Sequence, residues 1–198
     1  EPFRLKIGKI DISDFRFTKH RLGCTDSCTN IFLTDASIKM DDFFLDGGNV
    51  SGNIRQMKYN DADRFELLDF RGLAAYNENS IGLTELYFKT TGSDVKGQAV
   101  MEFEKGAFSD FLELVKFKGN FKESTFSSNE FIAWIPQFPQ FETFKITGDF
   151  EGTVNHFDVR NCEINLGKNT LFVGDIHIDE PTESDLLNIK ANVVEVHT

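Results

Sequence analysis

Catalysis and metal binding need histidine, cysteine, carboxylate or hydroxyl side chains at spacings that let them converge, and this chain offers few. Four histidines, His20, His156, His177 and His197, are scattered along its 198 residues, and none belongs to an H-E-x-x-H helix. His156 and His177 can face each other on neighbouring strands, although strand-surface positions account for both. Cys24 and Cys28 bracket a short polar loop. They can close a local disulfide in an oxidising compartment or stay as free thiols, and zinc would need two further ligands that no paired motif supplies. Asp61 and Asp63 sit in a turn that a cation can approach, and a solvated turn explains them without one. No G-x-S-x-G elbow, P-loop, dinucleotide fingerprint or EF-hand loop occurs. The expectation is a protein that is not an enzyme and carries no metal or cofactor.

Composition points elsewhere. The chain has 22 Phe against 3 Tyr and 1 Trp. Phenylalanine has no polar handle, so a face rich in it suits a dry core or hydrocarbon. The 32 acidic and 21 basic residues give a formal net charge of −11, which opposes contact with phosphate backbones and makes nucleic acid an unsuitable partner. No run of 18 apolar residues crosses a membrane, and the start lacks the basic and apolar regions of a signal peptide. Strand-like patterns run up to both ends, so a segment of a longer protein is expected.

The elements that organise these residues are marked by one five-residue form: apolar, polar, glycine, polar, apolar. It reads Ile146-Thr147-Gly148-Asp149-Phe150 and recurs around Gly52, Gly72, Gly97, Gly119 and Gly174, with one polar position altered in the Gly72 and Gly174 copies. Successive glycines lie 20, 25, 22, 29 and 26 residues apart, the length of two strands and their turns. In an extended chain the glycine and its neighbours two residues away share a face. A glycine in mid-strand packs nothing, so its recurrence there signals a bend, a bulge or a close approach.

The fold expected for residues 1–198 is mainly β: one elongated antiparallel meander, creased at intervals and folded into a groove. A first hairpin is expected over residues 3–20 and three strand-like runs over 30–59, with a turn at Asp46-Gly47-Gly48-Asn49. Two short helices interrupt the period, one over 107–115 and one over 128–135. The second is announced by Ser127-Ser128-Asn129-Glu130, a capping-box pattern, and stopped by Pro136 and Pro139. The greasy face is expected to consist of Val50, Ile54, Phe70, Ala74, Val95, Ala99, Phe117, Phe121, Phe144, Ile146, Phe150, Phe172 and Ile176. Two arrangements fit it, an open trough or the dry interior of a closed β-sandwich or barrel serving as a scaffold or binding module.

Several stretches carry a resemblance to a known family. These are Ser128-Asn129-Glu130-Phe131-Ile132-Ala133-Trp134-Ile135-Pro136, the run from Ile146 to Phe157 with its Gly148-Asp149-Phe150-Glu151-Gly152-Thr153-Val154 centre, and Asn169-Thr170-Leu171-Phe172-Val173-Gly174-Asp175-Ile176. They lie in the segment from about Phe126 to Ile178, and Lys6-Ile7-Gly8-Lys9-Ile10-Asp11-Ile12 and Phe15-Arg16-Phe17 add the N-terminal 20 residues. They resemble the AsmA-like proteins, and among them the TamB translocation and assembly proteins of the Bacteroidota type. The family's N-terminal membrane anchor and its C-terminal signature region are missing from this sequence. The resemblance implies a periplasmic bridge tethered to the inner membrane, a β-groove that shields phospholipid acyl chains on the way to the outer membrane, and support of outer-membrane biogenesis with a TamA-type barrel-assembly partner. On that reading the thirteen residues above are lipid-binding.

Overall fold

A computed structural model describes residues 3–19, 31–61, 65–132, 143–166, 170–181 and 185–197. Eleven strands form one antiparallel sheet in which chain order and spatial order coincide. They are β1 (Arg4–Lys19), β2 (Ile31–Asp46), β3 (Asn49–Asp61), β4 (Phe65–Asn77), β5 (Ser80–Thr90), β6 (Asp94–Glu102), β7 (Lys116–Phe126), β8 (Phe144–Gly152), β9 (His156–Leu166), β10 (Thr170–Asp179) and β11 (Asn188–His197). Between β6 and β7 a 3-10 turn, Ala107–Asp110, runs into α1, Phe111–Leu114, and α2, Ser128–Ile132, follows β7. No described helix is long and apolar enough to cross a membrane. The outermost strands β1 and β11 do not pair with each other, so the sheet is an open meander and the closed-barrel alternative is excluded.

The elements follow from local sequence. Gly47-Gly48 supplies the β2–β3 turn, with Gly47 at φ 59°, a left-handed conformation that glycine adopts without steric cost. Asn77 accepts the Asn79 N–H on its side chain at 2.9 Å, which fixes the β4–β5 turn. Two expectations need correction at the N-terminal end. Residues 4–19 form one 16-residue strand rather than a hairpin, and residues 31–61 form two long strands rather than three runs.

The apparent breaks are β-bulges. Asp14, Asp35, Asp42, Glu85, Glu123 and Asn161 all have φ between 46° and 55°, and each falls at a shift in strand register. A bulge inserts one extra residue, bends its strand and increases its twist. Five of the six recurrent glycines lie against register shifts, Gly119 being the exception. Gly148, with φ 148°, packs where a Cβ would stand 3.0 Å from the Arg160 carbonyl and from Cys162. Side chains complete the interrupted ladders. Ser124 Oγ accepts the Lys96 N–H and donates to the Lys96 carbonyl, each at 3.0 Å. Asp175, which follows Gly174, accepts the Asn161 N–H at 2.8 Å. At Gly148 and Gly174 the motif glycine makes room for the Asn161 bulge on β9, and the aspartate that follows it accepts a hydrogen bond from Asn161.

Candidate functional site

Residues directly opposed in an antiparallel ladder point to the same side of the sheet, so register decides which apolar residues share a face. Leu5 opposes Leu45, and Leu45 opposes Val50. From there the chain of partners runs Val50, Tyr76, Ile81, Met101, Phe117, Gly152, Phe157 and Ile178 to Ile189 on β11. A second row runs Ile54–Gly72 on β3–β4. A third links Ile146, Ile164, Phe172 and Val196. Phe70 opposes Met57 and Phe88, Ala74 opposes Leu83, Leu83 opposes Ala99, and Val95 opposes Phe88. Phe121 opposes Gly97 and Gly148, Phe144 opposes Phe126, and Phe150 and Ile176 both oppose Val159. All thirteen residues expected on the apolar face belong to this one surface.

The surface is not uniform along its length. Over β7–β10 it is filled. Ile146, Val159 and Cys162 are buried and are covered by Phe121, Phe126, Phe144, Phe157, Ile164, Phe172 and Ile176. The rings stack on one another: Phe121 and Phe150 have centroids 4.7 Å apart, Phe126 and Phe144 5.3 Å, and Phe121 meets Phe126 edge-on at 5.2 Å. Phe117 joins a smaller cluster under the 3-10 turn with Phe103, Ala107 and Val115. A gutter of constant bore is therefore absent here, because ring-on-ring contact occupies it.

Over β4–β6 the same face opens into a cleft of about 390 Å³. Phe65, Phe70, Leu83, Leu86, Phe88, Val95 and Phe126 line it, and Ser93 and Glu130 stand at one end. That volume lies within the range of about 300–1,000 Å³ usual for small-molecule sites. The polar end is locked. Glu130 of α2 accepts hydrogen bonds from Thr90 Oγ1 at 2.7 Å, from the Gly92 N–H at 3.1 Å and from Ser93 Oγ. The Ser-x-x-Glu pattern at 127–130 thus ties α2 to the β5–β6 turn. The sequence-based helix over 107–115 appears as the 3-10 turn plus α1, and the described part of the 128–135 helix as α2, residues 133–135 lying outside the described residues.

The opposite face is polar. Arg71 Nη2 pairs with Asp69 at 2.9 Å and stacks over the Tyr87 ring at 4.7 Å. Burial, and then the neighbouring Asp94 carboxylate, push the Tyr87 phenol up. His156 and His177 do come together, through a shared carboxylate: Asp179 Oδ1 is 3.1 Å from His156 Nδ1 and 2.9 Å from His177 Nε2. The hydrogen bond to Asp179 raises the His156 pKa, and the same bond lowers that of Asp179. Asp61 is buried, at 5 % exposure, rather than solvated in a turn. Cys162 is a buried free thiol, while Cys24, Cys28 and Asp63 lie outside the described residues.

The site that emerges has an apolar floor, a fixed polar stop and an open side. Sequence reasoning missed Phe65, Leu83, Leu86, Phe88 and Phe126, all outside the glycine motif; Phe65 and Phe126 stand five residues from Phe70 and Phe121 and reach the same face only because register shifts intervene. No protein-family model matches this chain, and neither a curated protein nor a solved structure matches it significantly.

Proposed function

We propose that the protein shelters lipid acyl chains on the apolar face of its sheet, as an AsmA- or TamB-like bridge segment in the periplasm would between inner and outer membranes. The observation that carries this reading is the β4–β6 cleft, a Phe- and Leu-lined opening on a face that continues in register to both outer strands. Each methylene removed from water contributes about 0.8 kcal/mol, so a long acyl chain gains on the order of 10 kcal/mol with no polar recognition. Sliding between equivalent apolar positions changes that energy little. Passive partition therefore both retains a chain and lets it move, and no catalytic residue is required. The filled β7–β10 segment serves as a rigid wall against which the open part keeps its shape, and in the complete assembly the acyl chains pass onward toward a barrel-assembly partner of the TamA type.

The test is native mass spectrometry of protein equilibrated with phospholipid vesicles, combined with a photocrosslinker at Leu86. Bound phospholipid and a lipid adduct are expected for the unaltered protein. Phe70→Asp should lose both while keeping the β-sheet circular dichroism spectrum, because the cleft is open and water can solvate the new carboxylate. A protein that stays free of lipid, or a Phe70→Asp variant that binds it undiminished, sinks the proposal.

A further inference from the structure

Away from the apolar face, three side chains from separate elements converge at the end of the sheet where β8 turns into β9. Glu113 comes from α1, His156 begins β9, and Glu180 follows β10. One ligand atom from each can be chosen so that all lie within 4.8 Å of one another. Glu113 Oε2 and His156 Nε2 are 3.6 Å apart. Two ligands at the usual zinc bond lengths of about 2.0–2.1 Å in a tetrahedral shell stand about 3.4 Å apart, so this pair is already near coordinating distance.

Each donor is held from behind. His156 Nδ1 is bound to Asp179 Oδ1 at 3.1 Å, which turns Nε2 toward the two glutamates. That is the carboxylate–imidazole arrangement that orients metal-binding histidines and makes their free nitrogen more basic. Glu113 Oε1 accepts from Asn155 Nδ2 at 2.7 Å, leaving Oε2 to face the imidazole. The backbone of Glu180 is fixed by its N–H bond to the Asn155 carbonyl at 2.8 Å, and the Asn155 N–H reaches the Leu112 carbonyl at 3.2 Å. Without a cation, Glu113, Asp179 and Glu180 bring three carboxylates around one imidazole, with Lys190 4.0 Å from Asp179 as the neighbouring base.

We infer that Glu113, His156 and Glu180 form a divalent-cation site, with zinc as the fitting ion and water completing the shell. One imidazole with two carboxylates suits zinc better than calcium or magnesium, which favour all-oxygen shells. The ion would staple α1 to the β8–β9 turn and the end of β10. A single turn of helix such as α1 has no stability of its own, so the staple acts where the fold is locally weakest.

Isothermal titration of the chelator-treated protein with zinc chloride tests this, read together with hydrogen exchange of residues 107–115. One ion per chain is expected, with slower exchange across that segment. His156→Ala and Glu113→Gln should each weaken binding about tenfold or more, and Asp179→Asn by about 10–100-fold through loss of imidazole orientation. His177→Ala, which leaves all three ligands in place, should stay within about threefold of the parent. No saturable uptake at about 1 mM zinc overturns the site. So does uptake that survives His156→Ala, or uptake that His177→Ala abolishes.

Discussion

The outer strands and the β7–β10 segment carry the same alternation of apolar and polar residues, yet they end in opposite states. On the lining face of β1, Leu5 and Ile12 remain 37 % and 48 % exposed, and on that of β11 Ile189 and Val193 remain 58 % and 51 % exposed. In between, Ile146 and Phe150 fall to 8 % and Val159 to 6 %. Alternation decides which way a side chain points, and the volume of its cross-strand neighbours decides whether it is covered. Around β8 phenylalanine rings and aliphatic side chains make up most of the cluster and pack against one another. At β1 only one strand lies alongside, so half of each apolar side chain faces solvent.

The largest effect that separates the two regions is a buried charge. Phe150→Asp places a carboxylate where the ring stacks on Phe121 and stands 5.9 Å from Phe157. It should lower unfolding free energy by about 3–5 kcal/mol, combining a lost aromatic with an unpaired charge. Ile12→Asp should cost about 1 kcal/mol or less, as exposed substitutions do. Urea denaturation of the pair decides the matter, and equal losses would mean that the outer strands are covered as tightly as the centre. The sequence-based view of one open trough would have spared Phe150→Asp, and the stacked rings are the reason it does not.

Glycines sharpen the contrast at a smaller scale. A Cβ on Gly119 would lie 2.1 Å from the Gln98 carbonyl oxygen and 2.6 Å from Phe150 Cζ, whereas on Gly52 it meets the Met40 sulfur at 2.9 Å. A backbone carbonyl cannot retreat without breaking the ladder, and a thioether can rotate away. Gly119→Ala should therefore destabilise by about 2–3 kcal/mol, and Gly52→Ala by less than about 1 kcal/mol. Thermal denaturation of the two variants reads the difference directly.

These positions also show what the chain makes legible. The glycine motif and the period of two were enough to assemble thirteen residues on one face, because strand geometry leaves no other arrangement once register is kept. The first strands run longer than the alternation suggests because Asp14, Asp35 and Asp42 shift the register without ending the strand. Aspartate tolerates the left-handed conformation in a bulge as readily as in a turn, and sequence alone does not separate the two. Which part of the face stays open depends on ring packing between strands. The convergence of Glu113, His156 and Glu180 depends on α1 folding back over the β8–β9 turn, and neither leaves a periodic trace.

Between these extremes lies the joint that closes one end of the cleft. Thr90 and Ser93 are 3 % and 5 % exposed, and their hydroxyls are bonded to the Glu130 carboxylate. Glu130→Ala leaves those buried hydroxyls without that acceptor and should cost about 1–3 kcal/mol. Because α2 is attached through this contact, the variant should also open the cleft near Phe126, measured as faster hydrogen exchange across residues 126–132. Loss of stability without faster exchange there would mean that α2 is held by other contacts and that the cleft has no such stop.

The smallest effect concerns pH and belongs to the filled region. Cys162 is fully buried on β9 against Gly148 and Gly174, and burial, followed by the nearby Asp175 charge, pushes its thiol above the usual value of 9.0. The native state thus keeps the proton longer than the unfolded chain does. Its contribution is complete below the ordinary thiol pKa and declines as pH rises from there toward the raised native value, since the unfolded state gains by ionising first. Stability should accordingly fall on the alkaline side of pH 9, and Cys162→Ala should remove part of that fall while leaving the neutral-pH slope unchanged. Peptide mapping after iodoacetamide treatment gives the companion reading: Cys162 should remain unmodified in the native protein at pH 8 and react once urea unfolds it. Rapid native labelling would mean that β9 opens easily and that the stacked phenylalanines do not seal this part of the sheet.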